Sequence, residues 1–487
     1  MERYLPEWIY DRLVVFCAGW EFHAGAKMHR RLGKVFVAVT PDECSLWIAE
    51  PSVANVVLHR RKEFQQPELV GRIINFLGPT LLAANGEDWQ RQRRVIAPNL
   101  NERISKSVWD ESCHQAAKMS DYLVRNSGNK TIDGLRNIAI NVLGRSSYGQ
   151  NQEWTPDEPV DTSDIHQELT YFKSISLVTS MLLPAAFIPP ILMDLWFLPT
   201  ALRLLGRGLK MLPKLTSELL ENERRVAEVD QVPRNNLLSQ MVQLSDHSKA
   251  SKSGLTLTEE EIHGNLFLFS AAGFDTTANT MGYGVTLLAA YPEWQDWMRE
   301  DYHGLDSDPS SWVYEDIFPR CKRTLAVMFE TLRLFTPVLH SYRCTNHEQL
   351  VTDESGSHRL ANGMDVFVNQ AAIHRDSSIW GADSEAFKPS RWIDSSGDLI
   401  TPEKGTFIPW SGGPRICPGI KMAQVEFVAT FATLFYAAKC ESIAAGVNPR
   451  ENARFLESLM RDSFFKLSLQ MKHPSEVRLR WIPQGCQ

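Results

Sequence analysis

The sequence contains no CxxC pair and no metal-finger spacing; its eight cysteines, at positions 17, 44, 113, 321, 344, 417, 440 and 486, are scattered along the chain. That usage suits free thiols in a reducing compartment and argues against a disulfide-stapled scaffold. A dense Lys/Arg block is also missing and the net charge is −7, so no nucleic-acid partner is expected. Internal repeats and low-complexity blocks are absent. The start of the chain has no clean apolar run either. Glu2, Arg3, Glu7, Asp11 and Arg12 interrupt Met1 to Gly19, which is too short and too charged for a spanning helix or a signal peptide. One uncharged stretch, Ile175 to Met193, is long enough to span by count, but it carries Pro184, Pro189 and Pro190. It reads as a surface or lipid-dipping element, with a buried helix pair as the alternative.

What is present is ordinary globular composition, 43% hydrophobic and 22% charged, in 487 residues. That length can bury a large core. Gly33 to Thr40 alternates apolar residues and Ser45 to Ala49 is a second short run, together a hairpin. Pro51 to about Arg61 reads as a helix with Pro in its first turn. Asp88 to Val95 begins a basic helix with Trp89 and Arg93 on one face. Lys106 to Asn126, Ile132 to Tyr148 and Thr200 to Glu228 read as further helices. Gly149 to Asp164 and Asp246 to Gly254 read as polar loops, and Phe465 to Trp481 as a terminal hairpin turning at His473-Pro474-Ser475-Glu476.

Four stretches carry chemistry. Thr258 caps a long apolar helix running to about Ala290, whose middle, Ala271-Ala272-Gly273-Phe274-Asp275-Thr276-Thr277, breaks the rules of a plain core helix. Its Gly alone costs about 1 kcal/mol. Lys322 to Phe335 is a helix with Glu330 and Arg333 one turn apart, worth little if exposed and much if buried. About forty aperiodic residues, Gln370 to Trp410, need tethering, for which Arg391 and Trp392 are candidates. Then comes Trp410-Ser411-Gly412-Gly413-Pro414-Arg415-Ile416-Cys417-Pro418-Gly419, a cysteine held at a bend before an apolar helix, Ile420 to Leu434. The helix N-terminus and Arg415 favour thiolate there. Such a sulfur can be a nucleophile, a redox thiol, a metal ligand or simply a buried structural cysteine.

The order and spacing of the Trp/Arg helix start, the AGFDTT interior, Glu330-x-x-Arg333 and Gly413-x-Arg415-x-Cys417-x-Gly419 resemble the cytochrome P-450 superfamily of haem-thiolate enzymes. The resemblance covers nearly the whole chain. Trp410, where the family usually has Phe, and the phrase PWSGGPRICPG are similar to the filamentous-fungal branch. The resemblance implies a mainly α fold with small β-sheets (α+β), a triangular helical bundle around a buried haem. Residues 33–487 would form the catalytic domain after a 1–32 lead-in. It implies haem b, with Cys417 as axial ligand of the iron; electron density from the sulfur favours O–O cleavage. Gly413 and Gly419 would let the backbone fold over the porphyrin, and Trp89, Arg93, Arg343 and Arg415 would hold the propionates. Glu330, Arg333 and Arg391 resemble the family's buried ion triad. Asp275 and Thr276 resemble its oxygen-activating pair, relaying protons from solvent.

The implied activity is insertion of one oxygen atom of O2 into a hydrophobic small molecule, with electrons from an NADPH-cytochrome reductase. A terpenoid or polyketide intermediate of secondary metabolism leads over a fatty acid or sterol. A haem isomerase or peroxygenase needing no reductase and a non-catalytic haem or lipid binder are the rivals. Lining candidates by family position are the 65–85 loop, Phe269, Ala272, Val338 to His340 (with Leu339) and Ser463 to Phe465 (with Phe464). His340 either bonds a polar substrate group or is a packed, satisfied histidine. Arg91, Arg94 and Lys421 form a candidate docking face for an acidic flavoprotein. Eukaryotic members usually carry an N-terminal membrane helix, and this chain begins about where one would end. Peripheral attachment to the cytoplasmic face of the endoplasmic-reticulum membrane through 175–199 is therefore expected, with a cytoplasmic location as the alternative.

Overall fold

The two extended runs near the start pair as the alternation predicts. In the computed structural model, which describes residues 17–40, 44–156, 164–230, 236–248, 256–353, 356–443 and 448–484, β1 (Val35–Val39) lies antiparallel to β2 (Cys44–Ile48). β2 runs parallel to β7 (Asp365–Asn369), so the hairpin joins chain more than three hundred residues later. β4 (His340–Thr345) and β3 (Phe64–Gln65) complete a five-stranded sheet of order β1-β2-β7-β4-β3. β5 (Gln349–Asp353) and β6 (Gly356–Leu360) form a separate hairpin. Residues 17–32, expected as a lead-in, are packed into the fold: in α1 (Trp20–Ala24), Trp20 and Phe22 are buried, and Trp20 meets Trp47 edge to face.

Helices supply most of the molecule. α2 (Pro51–His59) starts on its proline. α3 (Gly86–Ile96), α4 (Glu102–Arg125) and α5 (Lys130–Tyr148) match the apolar periodicity. The stretch expected to sit at the surface divides in two. α6 (Tyr171–Ser180) is buried nearly all round, Ile175, Leu177 and Val178 included, as a helix apolar on several faces requires. α7 (Leu182–Phe187) and α8 (Pro190–Met193) are broken by the prolines and leave large side chains outside. α9 (Thr200–Asp230) and α10 (Leu237–Ser248) follow. Residues 246–248, read from sequence as loop, continue α10, and 249–255 lie outside the described residues.

α11 (Glu259–Ala290) runs through the middle. Thr258 accepts from the Glu261 N–H and Glu261 reaches back to the Thr258 N–H, a capping box that satisfies two orphan donors. α12 (Lys322–Leu334) and α13 (Ile420–Ala437) pack beside it. The end of the chain corrects the sequence reading. Instead of one terminal hairpin, β9 (Ser463–Phe465) pairs with β10 (Leu469–Met471). β11 (Leu479–Pro483) pairs with β8 (Ala438–Ser442), which directly follows α13. Pro474–Glu476 is a single turn of 3-10 helix that redirects the chain between the two pairs, so local alternation was legible and the partner was not.

Candidate active site

α11 is buried along most of its length, yet Ala272 is exposed and Gly273 and Thr276 are half-exposed at its centre. Cys417 is likewise exposed by surface area although it sits deep among protein atoms. The bare stretch of α11 is a gap in an otherwise buried helix, and a sulfur that is accessible yet set deep lines an internal space. The cysteine loop faces it with fixed geometry. The Cys417 N–H donates to the Trp410 carbonyl at 3.0 Å, and Ser411 takes a positive φ of 63° to close the bend. Burial pushes the Cys417 thiol up, while the Gly419 N–H and the nearby Arg93 favour the thiolate. A cation or metal facing the sulfur is what would complete that balance.

Gly413 has a reason the sequence did not supply. At φ 64°, a Cβ there would lie 2.4 Å from the Leu58 carbonyl oxygen, so the loop packs directly on the end of α2. Gly419 is open, its would-be Cβ 3.9 Å from the Cys417 sulfur.

Around the same space stand buried guanidinium groups short of anions. Arg343 is 4% exposed and, among the described residues, its side chain donates only to its neighbour's carbonyl, Tyr342 O, at 2.8 Å; burial pushes its pKa down to about 10. Arg415 donates to the Ala84 carbonyl and to Asn85 Oδ1, and its buried Nε has no partner among the described residues. Burial, then the charges of Arg343 and Arg61, push it down to about 9. Arg415 and Arg61 lie 4.8 and 4.9 Å from the ring of buried Trp89. Arg93, half-buried, is lowered by burial with only Cys417 opposing. No carboxylate among the described residues pairs with Arg343 or Arg415. Like charges gathered in a dry slot cost energy unless an anion of matching charge enters. Sequence reasoning missed Arg61, which lies in the basic run Arg60-Arg61-Lys62 with nothing to single it out.

Arg91, read as part of a docking face, is instead committed inward. It pairs with Glu261 at 2.6 Å and donates to the Thr256 carbonyl at 2.7 Å. Glu261 is held low by that guanidinium and by the Thr258 N–H, against the burial that would raise it.

Asp275 and Thr276 are neighbours that face different ways. Thr276 Oγ1 donates to the Ala272 carbonyl at 2.9 Å, on the open side of α11. Asp275 is 2% exposed and points away, accepting from Arg136 Nη1 at 3.0 Å, Ser468 Oγ at 2.5 Å and Asn279 Nδ2 at 3.3 Å. Of the lining candidates, Phe269 and Phe464 are half-exposed and Ala272 is open. Leu339 is a correction: it is fully buried in the core and offers no surface, whereas Val338 beside it is 38% exposed. His340 is a packed histidine. Strand alternation puts it on the face opposite Ser341 and Arg343, where its Nδ1 meets Glu21 Oε1 and its ring lies against Trp47 and Phe367.

Behind the loop, Glu330 and Arg333 are fully buried and Arg391 nearly so. Glu330 accepts from Arg333 Nε and Nη2, Arg391 Nε, the Lys388 N–H and Trp392 Nε1, at 2.8–3.0 Å. Arg333 spends its remaining donors on the carbonyls of His374, Ser384 and Ala386. His374, pushed down to about 3 by burial and the two arginines beside it, is neutral and accepts the Ile408 N–H. The cluster therefore reaches the segment that leads into the cysteine loop.

A family model described as cytochrome P-450 matches residues 8–461. The chain belongs to the cytochrome P-450 family. It is a cytochrome P-450 monooxygenase, and a haem cofactor is expected from that membership. The residues present fit such a group: an open deep-set sulfur, guanidiniums without a carboxylate partner among the described residues for two carboxylates, and a bare stretch on an otherwise buried helix. A phomenoic acid biosynthesis cluster cytochrome P-450 monooxygenase of Leptosphaeria maculans is 30% identical, over 89% of this chain and 81% of its own. A cytochrome P-450 monooxygenase of Penicillium roqueforti is 25% identical over 88% and 79%. One from Postia placenta is 27% identical over 81% and 75%.

Proposed function

We propose that the chain inserts one oxygen atom of O2 into a hydrophobic small molecule, an intermediate of fungal secondary metabolism, using electrons from an NADPH-dependent reductase. Arg343 and Arg415, without a carboxylate partner among the described residues and close to an open Cys417, carry the reading. Cys417 would ligate the iron of haem b, with Gly419 and Arg93 favouring its charged form. Trp89, Arg93, Arg343 and Arg415, joined by Arg61, would take the two propionates. When bound, haem supplies the oxygen chemistry. The chain's own contributions are then positional: Ala272 and Gly273 keep the oxygen side of α11 bare, Thr276 presents a hydroxyl there, and Asp275 stands one residue away as the proton source. Phe269, Val338 and Phe464 are apolar, which favours a greasy substrate.

Secondary metabolism draws support from the printed name of the Leptosphaeria relative and from the fungal sources of other relatives. Membrane attachment draws support from one surface: Leu183, Phe187, Ile191, Leu192, Trp196 and Phe197 are 49–83% exposed within fifteen residues of sequence. No helix among the described residues is long and apolar enough to cross a membrane. For reductase docking, exposed Arg94 remains a candidate with Lys421, whose ammonium lies 4.1 Å from the Phe318 ring.

The test is metabolite comparison between a strain with this gene and one without it, followed by incubation of the purified chain with the accumulating compound under 18O2. Incorporation of one labelled oxygen only with NADPH and reductase supports the reading. Turnover that persists without both would replace it with an isomerase or peroxygenase.

A further inference from the structure

Asp275 is anchored from outside its own helix, by a hairpin that also carries a lining candidate. Ser468 closes the β9–β10 hairpin and is fully buried. Its hydroxyl accepts from Asn279 Nδ2 at 2.8 Å, so its single proton is directed into Asp275 Oδ2 at 2.5 Å. The other carboxylate oxygen takes Arg136 Nη1 at 3.0 Å, and Arg136, whose side chain is 25% exposed, lies over the Phe274 ring on the way to solvent. The same hairpin is pinned twice more. Ser463 Oγ meets Tyr283 OH on α11 at 2.6 Å, and the Leu469 N–H donates to the Pro337 carbonyl beside Val338 at 2.8 Å. Phe464 stands between these fixed points.

We propose that Ser468 is a positioning residue for Asp275, holding the carboxylate against Arg136 and tying its place to that of the hairpin bearing Phe464. This rests on the monooxygenase reading. A carboxylate offers about four lone-pair lobes; here Oδ2 accepts from Ser468 and Asn279 and Oδ1 from Arg136, so a single Oδ1 lobe is left to serve Thr276. Where that lobe points depends on the donors that hold the group, and Ser468 is the donor whose position the hairpin sets. A substrate that presses on Phe464 moves Ser468 and so adjusts the proton supply, while Arg136 keeps the carboxylate in contact with the outside.

The test needs no substrate. With NADPH and reductase, the holoenzyme passes electrons to O2. Two electrons and two protons give hydrogen peroxide; four electrons and four protons give two waters, and the second outcome depends on proton delivery. Ser468→Ala is expected to raise the peroxide-to-water ratio about threefold or more, with haem content unchanged, and Ser468→Thr to restore it. In an Asp275→Asn background the Ser468→Ala effect should vanish, and the thermal midpoints of the two single variants should not add in the double variant. If Ser468→Ala fails to bind haem, Asn279→Ala, which removes the donor orienting the hydroxyl, should shift the ratio in the same sense. An unchanged ratio, or an equal change in the Asp275→Asn background, overturns the proposal. A wild-type holoenzyme that accepts no electrons from the reductase overturns the functional reading instead. The thermal cycle then decides alone: additive midpoints would show that Ser468 does not hold Asp275.

Discussion

Arg333 and Arg343 sit on consecutive elements, α12 and β4, and both are buried, but their surroundings are opposites. Arg333 spends its donors on Glu330 and three backbone carbonyls. Arg343 donates to one carbonyl and has no carboxylate partner among the described residues; burial lowers it, and its charge in turn depresses Arg415. The first arrangement closes on itself and belongs to the fold. The second lacks an anion among the described residues and is the one proposed to meet a ligand. Charge burial alone does not separate a structural site from a binding site; the count of satisfied donors does.

Breaking the closed cluster has the largest expected effect on stability. Glu330→Gln leaves Arg333 as an uncompensated buried charge and should cost about 3–5 kcal/mol, read as a lowered denaturant midpoint and poor haem incorporation. An intermediate effect isolates a third case, a buried acid with no partner among the described residues. Glu426 on α13 is 7% exposed, its Oε1 is unsatisfied, and burial pushes it up to about 8. Its folded-state value lies above the unfolded one, so its neutral form is tolerated below about pH 4.5 and the penalty grows as pH rises toward 8. Glu426→Gln should therefore stabilise the chain progressively over that window, by on the order of 3 kcal/mol at its upper end, and leave stability below it unchanged. A pH-independent difference in unfolding would contradict this.

The open cluster should respond with the other sign. Arg343→Leu in the cofactor-free chain is expected to be neutral or stabilising by about 1–2 kcal/mol, whereas Arg333→Leu destabilises. In haem titrations the same Arg343→Leu should weaken binding by about tenfold or more. Destabilisation of the cofactor-free chain by Arg343→Leu would erase the contrast. Smallest is the surface effect: Trp196→Glu should reduce partitioning onto phospholipid vesicles by about tenfold without altering haem content.

The sequence displayed what local chemistry dictates. The capping box at Thr258, the proline that opens α2 and the Glu330–Arg333 spacing all follow from residues a few positions apart. What stayed hidden depends on contacts across the chain. Alternation around residue 480 marked a strand but not its partner, because β8 lies some forty residues earlier. Arg91 looked like a surface cation until Glu261 was found against it, and Arg61 carried no mark at all. Asp275 and Thr276 are adjacent in sequence, and only the helix's placement shows that one faces the open space and the other faces Ser468 and Arg136.

Cys417 and the arginines around Arg343 and Arg415 are proposed to hold one haem. The carbon-monoxide difference spectrum of the reduced, haem-loaded protein tests that proposal most directly. The account predicts the red-shifted Soret band of thiolate ligation in the native chain and its loss in Cys417→Ser. A native chain that binds haem without that band, or a Cys417→Ser variant that keeps it, would contradict the account.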